Sequence, residues 1–157
     1  MKKINFILTL INEKKISLID ASDEVSESYD NKSKTSLKAA KILLDQNLLE
    51  EAISMSYYSM YHKANSLFRL IGIKCENHSA IILLLKELFK INNKEISFAK
   101  EERINKQYYT DFLVTKQDVK NGIKDAGSFI DELDLFIDSL TKDKKEDYKQ
   151  KFVDEYF

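Results

Sequence analysis

The chain has 157 residues, near the usual size of one domain, and its 43% hydrophobic and 32% charged composition is that of a folded globular protein and excludes a disordered chain. A formal net charge of -1 excludes a whole-molecule positive field, so any contact with nucleic acid must be local. No proline and only three glycines (Gly72, Gly122 and Gly127) leave little turn chemistry, and the composition predicts an all-α fold with no sheet.

In chain order, the apolar run Ile4–Ile11 is too short to span a membrane and reads as a packed helix. A long helix is expected from about Ile16 to Asp45, although the polar stretch Ser26–Ser36 carries no core pattern and allows a break. The clearest helix is Leu48–Ile71. There Leu49, Ala52, Ile53, Ser56, Tyr57, Met60, Ala64, Leu67, Phe68 and Ile71 recur at steps of three and four and form a buried face. Gly72 follows as a helix-ending glycine, and Asn77 is placed to cap a helix over His78–Lys90 packed beside its predecessor.

Residues 91 to 114 are the least regular, with a turn at Asn92 and Asn93 and a helix over Lys94–Tyr109. Thr115 and Asp118 have capping spacing, and Val119, Ile123, Ala126, Ile130, Leu133, Ile137 and Leu140 trace the stripe of a last long helix. The tail 142–157 alternates lysines and acids around Tyr148, Phe152, Val153, Tyr156 and Phe157, as either a docked terminal helix or a partner-binding segment. The whole, residues 1–157, reads as a single domain.

The catalytic inventory is short: two histidines, His62 and His78, and two arginines, Arg69 and Arg103. Each helical residue advances about 100°, which puts His62 nearly opposite Met60 and off the apolar stripe. Met55, Tyr58, His62, Asn65 and Arg69 share this second face. An aromatic ring, an imidazole, an amide and a guanidinium on one face suit a phosphate, a base or a dimer contact, and equally suit a second buried face of a central helix. His78 opens its helix, where free amides favour an anion, but a capping or exposed histidine explains it as well. The lone Cys75 cannot form an internal disulfide and fits a reducing cytoplasm. Ligand spacing for a metal, a phosphate loop and a nucleophile elbow are all lacking, so no metal or cofactor is expected.

The run Ala52-Ile53-Ser54-Met55-Ser56-Tyr57-Tyr58-Ser59-Met60-Tyr61-His62-Lys63-Ala64 resembles the signature helix of one HEPN branch, a paired tyrosine followed by a small residue, methionine, an aromatic and histidine. His78 opening the next helix, Arg103 shortly before Tyr108 and Tyr109, and the capped last helix extend the likeness to about residues 33–140. The resemblance implies an up-and-down bundle of four or five helices that dimerises and is often encoded beside a small nucleotidyltransferase as a toxin–antitoxin pair. Many members are metal-independent ribonucleases using an arginine, four to six intervening residues and a histidine. That motif is absent. No arginine precedes His62, eight residues separate Arg69 from His78, and no histidine follows Arg103. Seven residues before the histidine, where the branch often has arginine, stands Met55.

Metal-free RNA cleavage needs a group to move the 2′-hydroxyl proton and a cation to stabilise the phosphorane, and Met55 supplies neither. The expectation is therefore a cytoplasmic, dimeric binding or regulatory module that engages a nucleotidyltransferase and a nucleotide or RNA. Its site would draw on Tyr57, Tyr58, His62, Asn65, Arg69, His78 and Tyr109. The alternatives are a ribonuclease toxin with an atypical site, using His62 with Arg69 or Arg103 supplied from elsewhere in the dimer, and a purely structural helical adaptor.

Overall fold

A computed structural model describes residues 1–108 and 113–157, and the fold is all-α. Among the described residues the helices are α1 (Lys2–Asn12), α2 (Asp23–Asp45), α3 (Leu49–Ile71), α4 (His78–Glu87), α5 (Lys94–Tyr108), α6 (Lys116–Asp138) and α7 (Lys142–Tyr156), more than the four or five that the resemblance implies. Their starts are chemically marked. Ser22, Asn77, Thr115 and Thr141 each accept a backbone N–H with the side chain, and Thr115 with Asp118 closes a reciprocal capping box.

Few glycines do not mean few stops. Lys14, Asn47 and Lys90 adopt φ of 58°, 57° and 59°, in the left-handed region, just beyond α1, α2 and α4. The next amide in each case then folds back onto the helix: Lys15 to the Leu10 carbonyl, Leu48 to Leu43 and Ile91 to Leu85. Gly72 ends α3 at φ 88°, and a Cβ there would lie 2.6 Å from the Ile19 carbonyl oxygen, so only glycine fits.

Two expectations fail together at this point. The helix over residues 16–45 begins only at Asp23, and the chain is not free of sheet, because β1 (Ile16–Leu18) pairs antiparallel with β2 (Ile73–Cys75). Ile16 faces Cys75 and Leu18 faces Ile73, and Ile16, Ile73 and Cys75 are buried. The strands come from distant segments rather than a hairpin, so the scarcity of turn residues does not bear on them. Burial pushes the Cys75 thiol up to about 11 and keeps it protonated.

The polar stretch of α2 is unbroken helix because its serines are packing residues. Ser33 donates to the Ser59 carbonyl at 2.6 Å and Ser26 to the Ser66 carbonyl at 2.8 Å, both buried, and their small side chains let α2 lie close along α3. Helix α3 is the central element. Tyr57, Met60, Ala64, Leu67, Phe68 and Ile71 enter the main core, whereas Ala52 and Ile53 meet Val119 of α6 in a second cluster. Its Lys63, 4% exposed, joins Asp30 of α2 at 2.7 Å and also Asp134 of α6. Burial raises the Asp30 carboxyl, but hydrogen bonds from Lys63 and Lys34 outweigh it and hold the group below its ordinary value. The tail is helix α7, with Phe152 and Tyr156 buried and Lys149 donating to the Ile19 carbonyl at 2.7 Å. No helix among the described residues is long and apolar enough to cross a membrane.

Candidate functional site

Helix α3 is buried on most of its circumference, and a strip made by Met55, Tyr58, Tyr61, His62 and Arg69 stays half-buried. Asn65, expected on this face, is 3% exposed, and its amide donates to the Tyr61 carbonyl at 3.1 Å. His62 sits at the middle of the strip. Its ring centroid lies 6.1 Å from Tyr58, 5.9 Å from Tyr61 and 6.1 Å from Tyr29 of α2. Burial, reinforced by Lys32, holds its pKa below the ordinary value, so the ring is neutral near pH 7. Its Nδ1 is buried without a hydrogen-bond partner among the described residues.

Each end of the strip carries an arginine over an aromatic face. Arg69 lies 5.4 Å from the Tyr29 ring centroid, with Lys32 over the same ring at 5.1 Å. Arg103, brought in by α5, lies 5.0 Å from the Tyr58 centroid and 5.7 Å from that of Tyr57. Both arginines therefore reach the strip within a single chain. Their Nε atoms, like His62 Nδ1, are buried and lack a hydrogen-bond partner among the described residues. Three donor or acceptor atoms in that condition mark a face short of polar partners.

The second histidine is fixed from both sides. Tyr57, buried and with its pKa driven far up by that burial, keeps its proton and bonds His78 Nδ1 at 2.7 Å. The hydroxyl finds no other acceptor among the described residues. Donation into Nδ1 leaves Nε2 as the N–H donor of a neutral imidazole. Burial, with Arg103, Lys100 and His62 nearby, holds the His78 pKa low and preserves that state. Tyr61 stacks on the ring with centroids 3.8 Å apart and planes 16° from parallel.

The structure thus assembles Tyr57, Tyr58, His62, Arg69, Arg103 and His78 in one region, leaves Asn65 buried beside it, and does not describe Tyr109, which falls outside the described residues. Sequence reasoning missed Tyr29 and Tyr61 as site residues. Tyr29 lies between Ser26 and Ser33 on α2, and an unbroken helix with those serines against α3 would have pointed to it. Among the described residues no group of three or more His, Cys, Asp or Glu is arranged to hold a metal ion.

Comparison with known proteins places this region in context. A model of the HEPN domain matches residues 26–136, which includes most of α2 and nearly all of α6. A candidate toxin of Methanocaldococcus jannaschii is 28% identical over 110 residues, covering 70% of this chain and 81% of that protein. A UPF0332 protein of Pyrococcus horikoshii is 27% identical over 86% of this chain and 99% of its own length. A UPF0332 protein of Thermotoga maritima is 22% identical over 79% and 99%. With the match spanning α3, its tyrosine-histidine strip and both flanking arginines, the chain belongs to the HEPN domain family.

Proposed function

We propose that the chain is a toxin-type HEPN module whose α3 strip binds the phosphates and bases of single-stranded RNA or a nucleotide, in a dimer that engages a nucleotidyltransferase, without robust cleavage of its own. The observation that supports this most is the pair of arginines, Arg69 and Arg103, at opposite ends of an aromatic strip, each with a buried Nε lacking a partner. Guanidinium groups hold phosphates, and half-buried tyrosine rings offer stacking faces to bases whatever their sequence. The name of the Methanocaldococcus relative agrees with a toxin-type role.

The case against strong catalysis is the sequence itself, in which the arginine-to-histidine spacing of the family's nucleases occurs nowhere. An atypical ribonuclease is the second reading. It is favoured by two neutral histidines, His62 and His78, within reach of the two cations. Fluorescence anisotropy of a labelled single-stranded RNA tests the binding reading. Arg69→Ala and Arg103→Ala should each weaken binding by about tenfold, the scale of a charged hydrogen bond. Equal affinity in the double variant would count against it.

A further inference from the structure

Met60 and His62 lie on nearly opposite sides of α3, and the Met60 side faces a cavity of its own. Helices α3, α5 and α6 enclose about 130 Å³ there, over an apolar floor of Ile53, Met60 and Ala99. Four carboxylates line it, from Glu95 and Glu102 of α5 and Asp118 and Asp125 of α6, against one lysine, Lys106. Lys106 sits 3.9 Å from Glu102 and 3.8 Å from Asp118, which places its charge toward one side. Glu95 and Asp125 form no ion pair among the described residues. Glu95 Oε2 is moreover buried without a hydrogen-bond partner among the described residues. A buried carboxylate oxygen in that condition is costly unless something completes it.

We infer that this cavity binds an alkylguanidinium or alkylammonium group, its aliphatic stem on Ile53, Met60 and Ala99 and its cationic head against Glu95 and Asp125. The charge of the lining repels anions. The apolar floor suits a carbon stem, which an inorganic cation lacks, and the arrangement of acids offers no three-carboxylate metal site among the described residues. The volume suits a single side-chain-sized group. Burial, with Asp125 and Glu132 nearby, raises the Glu95 carboxyl, a repulsion that a bound cation relieves. Two sources present this chemistry: a free amine, and an arginine or lysine side chain of a protein partner. Phe98, 57% exposed on the cavity lining, offers either one an apolar edge.

The test is calorimetric titration of the full chain with agmatine and, separately, with a blocked tetrapeptide carrying one arginine. Agmatine binding assigns the cavity to a free cation, and binding of the peptide alone assigns it to a partner's side chain. In either case Glu95→Gln should weaken binding by at least about tenfold, as loss of one charged partner does. Gly122→Met provides a second variant. A Cβ at Gly122 meets nothing within 4 Å, so the methionine can occupy the cavity without disturbing α6 and should block binding, with an unchanged circular dichroism spectrum as the control for folding. No binding of either probe at millimolar concentration, or binding unaffected by both variants, overturns the inference. Neither result bears on RNA binding at the α3 strip, which is measured with a different probe.

Discussion

Tyr61 lies flat on His78, centroids 3.8 Å apart, while Tyr57 from the preceding turn of α3 bonds the same ring at Nδ1. One turn of α3 thereby sets both the plane and the tautomer of the histidine that opens α4. Tyr57→Phe removes only the hydroxyl. Nitrogen-detected NMR should show His78 as the Nε2–H tautomer in the natural chain and a mixture in the variant, with stability lower by about 1 kcal/mol. An unchanged tautomer in Tyr57→Phe would show that the hydroxyl does not set it.

Both histidines have folded pKa values below 6.5, chiefly through burial, so the unfolded chain binds protons more readily in the window just below that value. Their contribution to stability is complete above about pH 6.5 and is lost as the pH falls toward the folded values. Denaturant unfolding between pH 7.5 and 5 should show stability decreasing with acid. In His62→Asn with His78→Gln that slope should flatten.

The buried ammonium of Lys63 ties α2 and α6 to α3 through Asp30 and Asp134. Lys63→Ala leaves the partly buried Asp30 carboxylate with Lys34 alone and should cost about 2 kcal/mol, less than a broken buried pair usually does because Lys34 still pairs Asp30 and Asp134 is half exposed. The folded pKa of Asp30 is depressed below 3.8, so its contribution holds above about pH 4 and disappears as acid titrates the folded carboxylate. The destabilisation of Lys63→Ala, read from urea midpoints, should accordingly shrink at pH 2.5.

Gly72 has a φ of 88° and a would-be Cβ 2.6 Å from the Ile19 oxygen. Gly72→Ala should lower stability by about 2 kcal/mol or more, through the left-handed backbone and the displaced β1 end. Thermal unfolding measures it, and a neutral result would mean that the Ile19 segment yields freely.

The helices legible in the sequence were those whose apolar residues repeat or whose ends carry a cap: α3 with Gly72, α4 after Asn77, and α6 after Thr115. Legibility failed where packing was done by small polar residues or by backbone. Ser26 and Ser33 bury hydroxyls against α3 carbonyls, a role no hydrophobic pattern reveals, and that concealed Tyr29. The Ile16–Leu18 strand owes its existence to a partner more than fifty residues away, set beside it by Gly72, and no local pattern encodes such a pairing. For the site, the face carrying Tyr58, His62 and Arg69 followed from helical spacing alone. The arrival of Arg103 depends on how α5 packs, in the stretch whose pattern was weakest.

Binding without cleavage is the central claim, and one measurement addresses both halves. A labelled single-stranded RNA is incubated with the purified chain in the presence of a chelator, then split between a native gel and a denaturing gel. The account predicts a shifted complex on the first, weakened by Arg69→Ala and Arg103→Ala, and intact RNA on the second. Fragmented RNA on the denaturing gel, restored to full length by His62→Ala, would contradict it.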